Sequence, residues 1–284
     1  MSKRTKKSNN FSMINVRKPT NSKRNDTIEL EENNEVKFDS IKELQKKSYS
    51  ERKYLPSFEI VNGPSFGSVK FNLQKGQRII SQLGCMAYMD GHMKVDTVSR
   101  GGFFSGLKRM LLTSSSMFLT CYMGTEKKNE ICFSSQLPGD VLPIVIRPHE
   151  KIIISPFSLI CFTNNLTINS KRRLRGIFTN EGIYQTELVN KTNKDGLLFL
   201  SAYGGHQKVK IPEGKTMKLD NGLFLCSHTQ TKYGITVAGG VKSGLLSGEG
   251  LMMEFTGPCE LYIQGRSIHS LLYFIKRHST FRRE

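Results

Sequence analysis

Three segments of the chain share one pattern when they are placed beneath one another without gaps. They begin at Lys75, His149 and Glu213 and read KGQRIISQLGCMAYM, HEKIIISPFSLICFT and EGKTMKLDNGLFLCS. The alignment matches Ile79 with Ile153 and Met217, Ser81 with Ser155 and Leu219, and Met86 with Ile160 and Phe224. One unit of this size cannot bury its own apolar face, so we predict three β-units stacked into one body. The alternative is a chance similarity between apolar runs.

The sequence between these segments favours the same fold class. From residue 56 onward, short β-type runs are separated by Gly, Pro, Asn and Asp, and a strand ending in glycine follows each segment, at Gly124, Gly204 and Gly257. This spacing predicts an all-β sandwich or barrel-like body over residues 56–275. The expected units are approximately 56–140, 141–208 and 209–268, followed by a basic tail at 276–284. After residue 56, only residues 103–112 and 269–277 have a helical pattern.

The densest glycine cluster lies in GLLSGEGLMMEFTGPCELYIQGR, which begins at Gly244. A phosphate-binding loop needs a strand that leads into a helix, whereas here one strand leads into another. We therefore interpret these glycines as corners of the third unit, where a residue without Cβ is required. Glu249 stands between two of them, and we expect its carboxylate to accept backbone N–H groups rather than to catalyse a reaction.

Residues 1–55 differ in composition from the rest of the chain. They contain many Lys, Ser, Asn and Glu and few apolar residues, which predicts an arm that is disordered in isolation and is ordered only by a partner. Its early cations include Lys3, Arg4, Lys6 and Lys7. We expect the arm to join a larger protein assembly, such as a viral particle or a membrane-associated complex. A mitochondrial transit peptide is the alternative interpretation, and no secretory signal or transmembrane span is predicted.

The formal net charge of +18 points to anionic partners. Besides the arm, one cationic cluster comprises Lys171, Arg172, Arg173 and Arg175, and another ends the chain as KRHSTFRRE. Such clusters bind nucleic acid or an anionic membrane surface, and Phe178 and Tyr184 near the first cluster could stack on bases. No RNA-recognition motif accompanies them. A solvated loop is the simpler interpretation of the Lys171–Arg175 cluster.

Residues for catalysis or metal binding do not form a recognisable pattern. The six cysteines have no CxxC spacing and mostly interrupt apolar runs, so we expect buried free thiols in a reducing compartment. Cys85 and Cys121 are candidate nucleophiles in form only, since both fall in strand-like runs. The histidines are scattered and make no HxH or HExxH pair. We therefore predict no catalytic residue, no metal site and no cofactor.

Several motifs resemble the family named altered inheritance of mitochondria, type twenty-four. They are GCMAYMDGHMKVDT, GGFFSGLKRML, LPGDVLPIVI and above all GEGLMMEFTGPCELYIQGR, within a region from about Phe58 to Phe274. The motif residues that match in order, and that we expect to be structural, are Gly248, Glu249, Gly250, Gly257, Pro258 and Gln264. Cys259 stands where the family commonly has a second glycine.

The resemblance implies a fold similar to the tryptophan RNA-binding attenuator protein, whose repeated β-units assemble into rings or trimers. It implies no enzyme activity, and the arm lies outside the family pattern. We therefore expect a non-enzymatic β-scaffold that self-associates as a trimer or ring. The alternative is a protein that binds nucleic acid or an anionic surface through the arm and the Lys171–Arg175 cluster.

Overall fold

The computed structural model describes residues 54–98, 119–155, 157–175, 182–237 and 251–278. The arm cations, the helical pattern at 103–112, and Gly248, Glu249 and Gly250 lie outside these residues.

Nineteen strands make up most of the described chain, and they follow one another in groups of six after an initial β1 (Ser57–Val61). The first group is β2 (Ser68–Leu73), β3 (Arg78–Gln82), β4 (Met86–Met89), β5 (Lys94–Val98), β6 (Leu119–Met123) and β7 (Asn129–Ser134). The second is β8 (Gly139–Ile146), β9 (Lys151–Ile154), β10 (Leu159–Thr163), β11 (Leu166–Arg175), β12 (Gly182–Asn190) and β13 (Gly196–Tyr203). The third is β14 (His206–Ile211), β15 (Thr216–Asp220), β16 (Phe224–His228), β17 (Lys232–Val237), β18 (Leu251–Thr256) and β19 (Cys259–Gln264).

Helical structure in the described chain is limited to two short elements. A 3-10 turn occupies Asn221–Leu223 between β15 and β16, and one α-helix, α1, spans Ile268–His278 at the end. The prediction of an all-β protein is confirmed, and so is the helical pattern at 269–277.

The strands form four antiparallel sheets, which we number in the order in which they stack. The first sheet has the order β1-β2-β7-β4, the second β5-β6-β3-β10-β13-β8, the third β11-β12-β9-β16-β19-β14, and the fourth β15-β18-β17. Each of these strand orders has two ends, so the described strands form stacked open sheets rather than a closed barrel.

Three apolar clusters lie between the four sheets. Between the first and second sheets, the rings of Phe71 and Phe199 meet edge to face with centroids 5.1 Å apart. An aliphatic cluster that includes Ile80 and Ile154 fills the space between the second and third sheets. Phe224 stacks on Phe255 between the third and fourth. The two middle sheets are therefore covered on both faces, which explains why β10, β13 and β16 are almost continuously apolar.

The strand pairing repeats three times. Within each group of six, the second strand pairs with the fifth, the fourth with the fifth, the third with the sixth, and the first with the sixth. Each unit thus gives three strands to one sheet and three to the next. Adjacent units are joined where β3 pairs with β10 and where β9 pairs with β16.

The register corrects the gapless alignment by one residue in the second unit. Cys161 of β10 and Cys226 of β16 are equivalent residues. Ser81 lies opposite the first and Ile154 opposite the second, so Ser81 is equivalent to Ile154 and not to Ser155. Ile79 accordingly corresponds to Ile152, not to Ile153. The error matters because a shift of one residue moves a side chain to the other face of the sheet.

The prediction that an equivalent strand ends in glycine in every unit is also wrong for the second unit. The amide N–H groups of Gly124, Asn190 and Gly257 donate to the equivalent carbonyl groups of Gln77, Glu150 and Lys215. Asn190 therefore takes the position that Gly124 and Gly257 hold in the other units. Gly204 instead follows β13, the sixth strand of its group, and has a φ of 71°.

Candidate interaction surfaces

The Lys171–Arg175 cluster lies on an edge strand and not in a loop. Its backbone belongs to β11, where Lys171 is opposite Thr186 and Arg173 is opposite Tyr184 of β12. Because β11 ends the third sheet, these cations also discourage the addition of a foreign strand at that edge.

Two residues of the glycine-rich family motif make contacts that hold the third unit together. Gly257 follows β18, and its peptide bond to Pro258 is cis. A Cβ at Gly257 would overlap the carbonyl oxygens of Ile211 and Pro212, so the chain can pass there only as glycine. The Gln264 side chain accepts the N–H of Tyr203 at 3.1 Å and donates to the carbonyl oxygen of Gly222 at 2.9 Å.

The six cysteines are buried free thiols, as expected from their apolar surroundings. Burial raises the pKa of Cys85 to about 11 and that of Cys121 to about 11. Burial also raises the pKa of the fully enclosed Cys161 and Cys226 thiols. Since the thiolate is the nucleophile, these thiols stay protonated and unreactive near neutral pH.

Two histidines of the described chain pair with carboxylates. His228 is buried, with Nδ1 2.9 Å from Glu150 Oε1, and His206 Nδ1 lies 3.3 Å from Asp140 Oδ2. No group of three or more His, Cys, Asp or Glu residues in the described ranges could hold a metal ion.

In the first and in the fourth sheet, one end strand has an unpaired edge, although the equivalent strands of the middle sheets are paired on both sides. These are β4, equivalent to β10 and β16, and β15, equivalent to β3 and β9. All five residues of β10 and of β16 are buried, whereas Met86 and Tyr88 of β4 are 39% and 48% exposed. Met217 of β15 is 40% exposed, although Ile79 and Ile152 at its position are fully buried. No strand described by the structure pairs with the free edge of either strand.

The outer faces of these two end sheets are polar. Lys70 and Glu130 lie on the outer face of the first sheet, and Lys218 and Glu254 on that of the fourth, where their charged groups are 3.5 Å apart. Tyr88 donates its hydroxyl to Glu130 at 2.9 Å, and this hydrogen bond is the main cause that raises the pKa of Tyr88 to about 12. Polar outer faces are typical of the terminal units of repeat proteins, which must remain soluble.

Helix α1 has an exposed apolar surface, of which only the helical pattern was predicted. It buries none of its residues, and Leu272, Tyr273, Phe274 and Ile275 are 44–66% exposed. Its last turn carries Lys276, Arg277 and His278. The signal was present in the sequence, since Ile268, Leu271, Leu272 and Ile275 follow the spacing of an amphipathic helix. In the ranges that the structure covers, no helix is both long and apolar enough to span a bilayer.

The fold and these surfaces define a protein of three repeated antiparallel β-units with open end sheets. The family model for mitochondrial biogenesis AIM24 matches residues 58–266, and the chain belongs to that family. The family resemblance stated from the motifs is thereby confirmed.

Two similar proteins come from Streptococcus pyogenes. An uncharacterised protein of serotype M6 is 21% identical over 229 residues, which cover 78% of this chain and 90% of the relative. A crystal structure of a protein from the same species has a TM-score of 0.64 at 20% sequence identity and covers 79% of this chain and 100% of its own. At this identity, the structural similarity shows the fold alone.

Proposed function

We propose that the protein is a non-enzymatic β-scaffold that self-associates and serves in the assembly of a larger complex. The observation that carries this proposal is that the first and fourth sheets each end in a strand with an unpaired edge, β4 and β15. The equivalent strands of the two middle sheets are paired on both sides. An unpaired strand exposes a row of backbone donors and acceptors that a second chain can satisfy. Closed symmetry, as in a trimer or ring, covers all such edges at once.

The two open edges complement each other. The fourth sheet consists of the same three strands of its unit that form one half of each middle sheet, and β4-β7-β2 corresponds to the other half. Joining β15 of one copy to β4 of the next would give the order β17-β18-β15-β4-β7-β2, which is that of the second and third sheets. By the register of β3 with β10 and of β9 with β16, Lys218 would lie opposite Met89, and Leu219 opposite Tyr88.

The polar outer faces favour contact through edges and oppose stacking of one end sheet on another. Lys218 replaces Ile80 and Ile153 of the other units. Its charge protects the edge from indiscriminate strand addition, while its methylene groups can extend along the apolar side chain of Met89.

Self-association is tested by light scattering on residues 54–284 at micromolar concentration. We expect a discrete oligomer, and Met86→Lys with Met217→Lys should reduce its mass, because a charged side chain then replaces an apolar one at each of the two edges. The matched control is Val95→Lys, which adds a cation to the exposed edge strand β5. A strict monomer in the parent protein would overturn the proposal.

The pairing of β15 with β4 is tested separately by cysteine cross-linking. We mix a Lys218→Cys chain with a Met89→Cys chain, oxidise them and expect a covalent dimer. Lys218→Cys mixed with Tyr88→Cys is the off-register control, since Tyr88 points to the other face. An oligomer without the cross-link would refute this pairing and leave self-association standing. A cross-link formed within single chains that carry both substitutions would show closure of the chain on itself.

The absence of an enzyme activity is part of the proposal. Its support is that the candidate nucleophiles Cys85 and Cys121 are buried and protonated, and that His206 and His228 face carboxylates and not these thiols. Hydrolysis of a panel of ester, phosphate and peptide substrates by the purified protein, lost on alkylation of its thiols, would overturn it.

A second candidate function is binding of nucleic acid or another polyanion through the arm and the cationic edge of β11. The observation that favours it is that the backbone of all four cationic residues belongs to β11, which ends the third sheet. The logarithm of affinity for RNA should fall steeply with the logarithm of salt concentration, and neutralising Arg172, Arg173 and Arg175 with Gln should make that slope shallower. The control neutralises the exposed Lys127, Lys128 and Lys191. Binding that ignores salt would remove this candidate.

A further inference from the structure

The apolar side of α1 has no partner in the described structure. On a helical projection, Phe274, Leu271, Ile275, Ile268 and Leu272 lie on one arc, which His278 of the last turn also enters. Ile268 and Leu271, in the first turn, are partly buried. The outer part of the arc stays open, because Leu272 is 56%, Phe274 60% and Ile275 44% exposed. Exposed apolar side chains contiguous on one helix mark an interaction surface.

The helix is fixed to the β-body by Ser267, the residue that precedes it. Ser267 is buried and accepts the N–H of Ser270 on its hydroxyl oxygen at 3.4 Å, a capping arrangement, and its carbonyl oxygen accepts the N–H of Leu271. Gly222 makes room for Ser267, because a Cβ at this glycine would overlap the serine hydroxyl. The Gln264 side chain in turn donates a hydrogen bond to the carbonyl oxygen of Gly222. The helix therefore projects from an anchored start and presents its outer turns to solvent.

Cations flank the apolar arc. On the projection, Lys276 lies next to Leu272 at one end of the arc, Arg277 lies beyond Phe274 at the other, and Tyr273 lies between the two cations. Long cationic side chains beside an apolar face that contains phenylalanine and leucine are the composition of helices that lie in the headgroup region of a bilayer. A polynucleotide would use the cations but leave the apolar arc uncovered. A second copy would bring a like-charged helix from a chain of net charge +18.

We propose that α1 docks the protein onto an anionic lipid bilayer, with Leu272, Phe274 and Ile275 buried at the boundary of headgroups and acyl chains and with Lys276 and Arg277 at the lipid phosphates. This inference concerns a surface separate from the β4 and β15 edges and does not depend on self-association.

The chain contains no tryptophan, so Phe274→Trp introduces a single fluorescent probe on the apolar arc. In the full-length chain, we expect its emission to shift to the blue on addition of vesicles of mixed phosphatidylcholine and phosphatidylserine, and brominated lipids to quench it. Phe66→Trp is the matched control, because Phe66 is 69% exposed outside α1 and should show neither change. The probe reports apolar insertion, and it therefore separates α1 from electrostatic attraction by the arm.

A second measurement uses sedimentation with the same vesicles. Leu272→Ser with Ile275→Ser should weaken binding by about tenfold or more, because two apolar side chains lose their burial. Phe66→Ser should leave binding unchanged. The proposal is overturned if the Phe274→Trp emission stays constant on saturated vesicles, or if the double substitution binds as tightly as the parent. It is also overturned if vesicles do not bind and the double substitution lowers the oligomer mass, which would make α1 a contact between copies.

Discussion

At the scale of single residues, the family motif is explained by close contacts between backbones. Gly257 allows the chain after β18 to pass against the carbonyl groups of Ile211 and Pro212 at the end of β14. Gln264 joins the end of β13 to the turn before β16. The Gly257 contact lies within the third unit, and Gln264 joins the second unit to the third.

Replacing Gly257 with alanine should destabilise the protein by about 1–3 kcal/mol, because the new methyl group displaces backbone atoms and not a flexible side chain. The measurement is the midpoint of urea unfolding. Gly234→Ala in β17 is the control, since a Cβ there meets nothing within 4 Å. Equal midpoints for the two variants would contradict the close contact at Gly257.

The buried thiols predict a loss of stability at alkaline pH. The pKa of Cys85 is raised by burial to about 11 from an ordinary value of 9.0, so the unfolded chain loses this proton at lower pH than the folded one. The stability is complete below about pH 9 and is lost as the pH rises towards 11, by on the order of 2 kcal/mol for one such thiol. Urea unfolding between pH 8 and pH 11, which brackets this window, should show a shallower loss for Cys85→Ala than for the parent. An unchanged slope would argue against this origin.

At the scale of elements, equivalent strands differ in how well they are covered. The third strands β10 and β16 are buried because a neighbouring unit supplies a partner strand, whereas β4 has no such partner among the described strands. The second strand of each unit shows the converse, since β15 is the one without a described partner on this side. Exposure at Met86, Tyr88 and Met217 thus follows from position in the repeat and not from strand composition alone.

Helix α1 should fray if its N-terminal cap is removed. Ser267→Ala deletes the hydroxyl that accepts the N–H of Ser270, which costs the helix about 0.5–2 kcal/mol. Hydrogen exchange of the α1 amides should accelerate, while exchange in β9 and β10 stays slow. Ser270→Ala, at an exposed position on the same helix, is the control. Acceleration equal in both variants would mean that Ser267 is not the cap.

At the scale of the whole molecule, the β-body begins before the first strand. Tyr54 lies 5.0 Å beneath the Lys194 ammonium and accepts a hydrogen bond from Gln77 through its carbonyl oxygen, and Leu55 packs against the cluster between the first and second sheets. A truncation that removes the arm should therefore end at residue 53 and not at 55, so that these contacts are kept.

Deleting residues 1–53 should leave the fold intact, because all three units and their apolar clusters lie after this point. We expect unchanged β-type circular dichroism, an unchanged urea midpoint and an unchanged oligomer mass, together with loss of incorporation into the larger assembly. Deleting residues 1–55 is the informative comparison and should lower the midpoint. Unfolding of the shorter deletion would show that the arm belongs to the fold.

The sequence by itself determined the all-β class, the threefold repetition, the buried thiols and the family. Each of these rests on local signals: alternation of apolar residues, turn residues, cysteines within apolar runs and an ordered glycine motif. The helical pattern at 269–277 was also readable, because its spacing is local.

Only the tertiary structure decided the register, the layers and the open edges. Which of Ile152 and Ile153 matches Ile79 depends on hydrogen bonds to a distant strand, and a gapless alignment has no access to them. The cationic residues of β11 were interpreted as a loop because their sequence is polar, but their pairing with β12 makes them part of an edge strand. Likewise, Met217 aligns with Ile79, which is buried, but Met217 itself is exposed because no described strand pairs with the free edge of β15. Burial depends on what the rest of the chain places alongside a residue, and this is the physical reason why a local pattern cannot specify it.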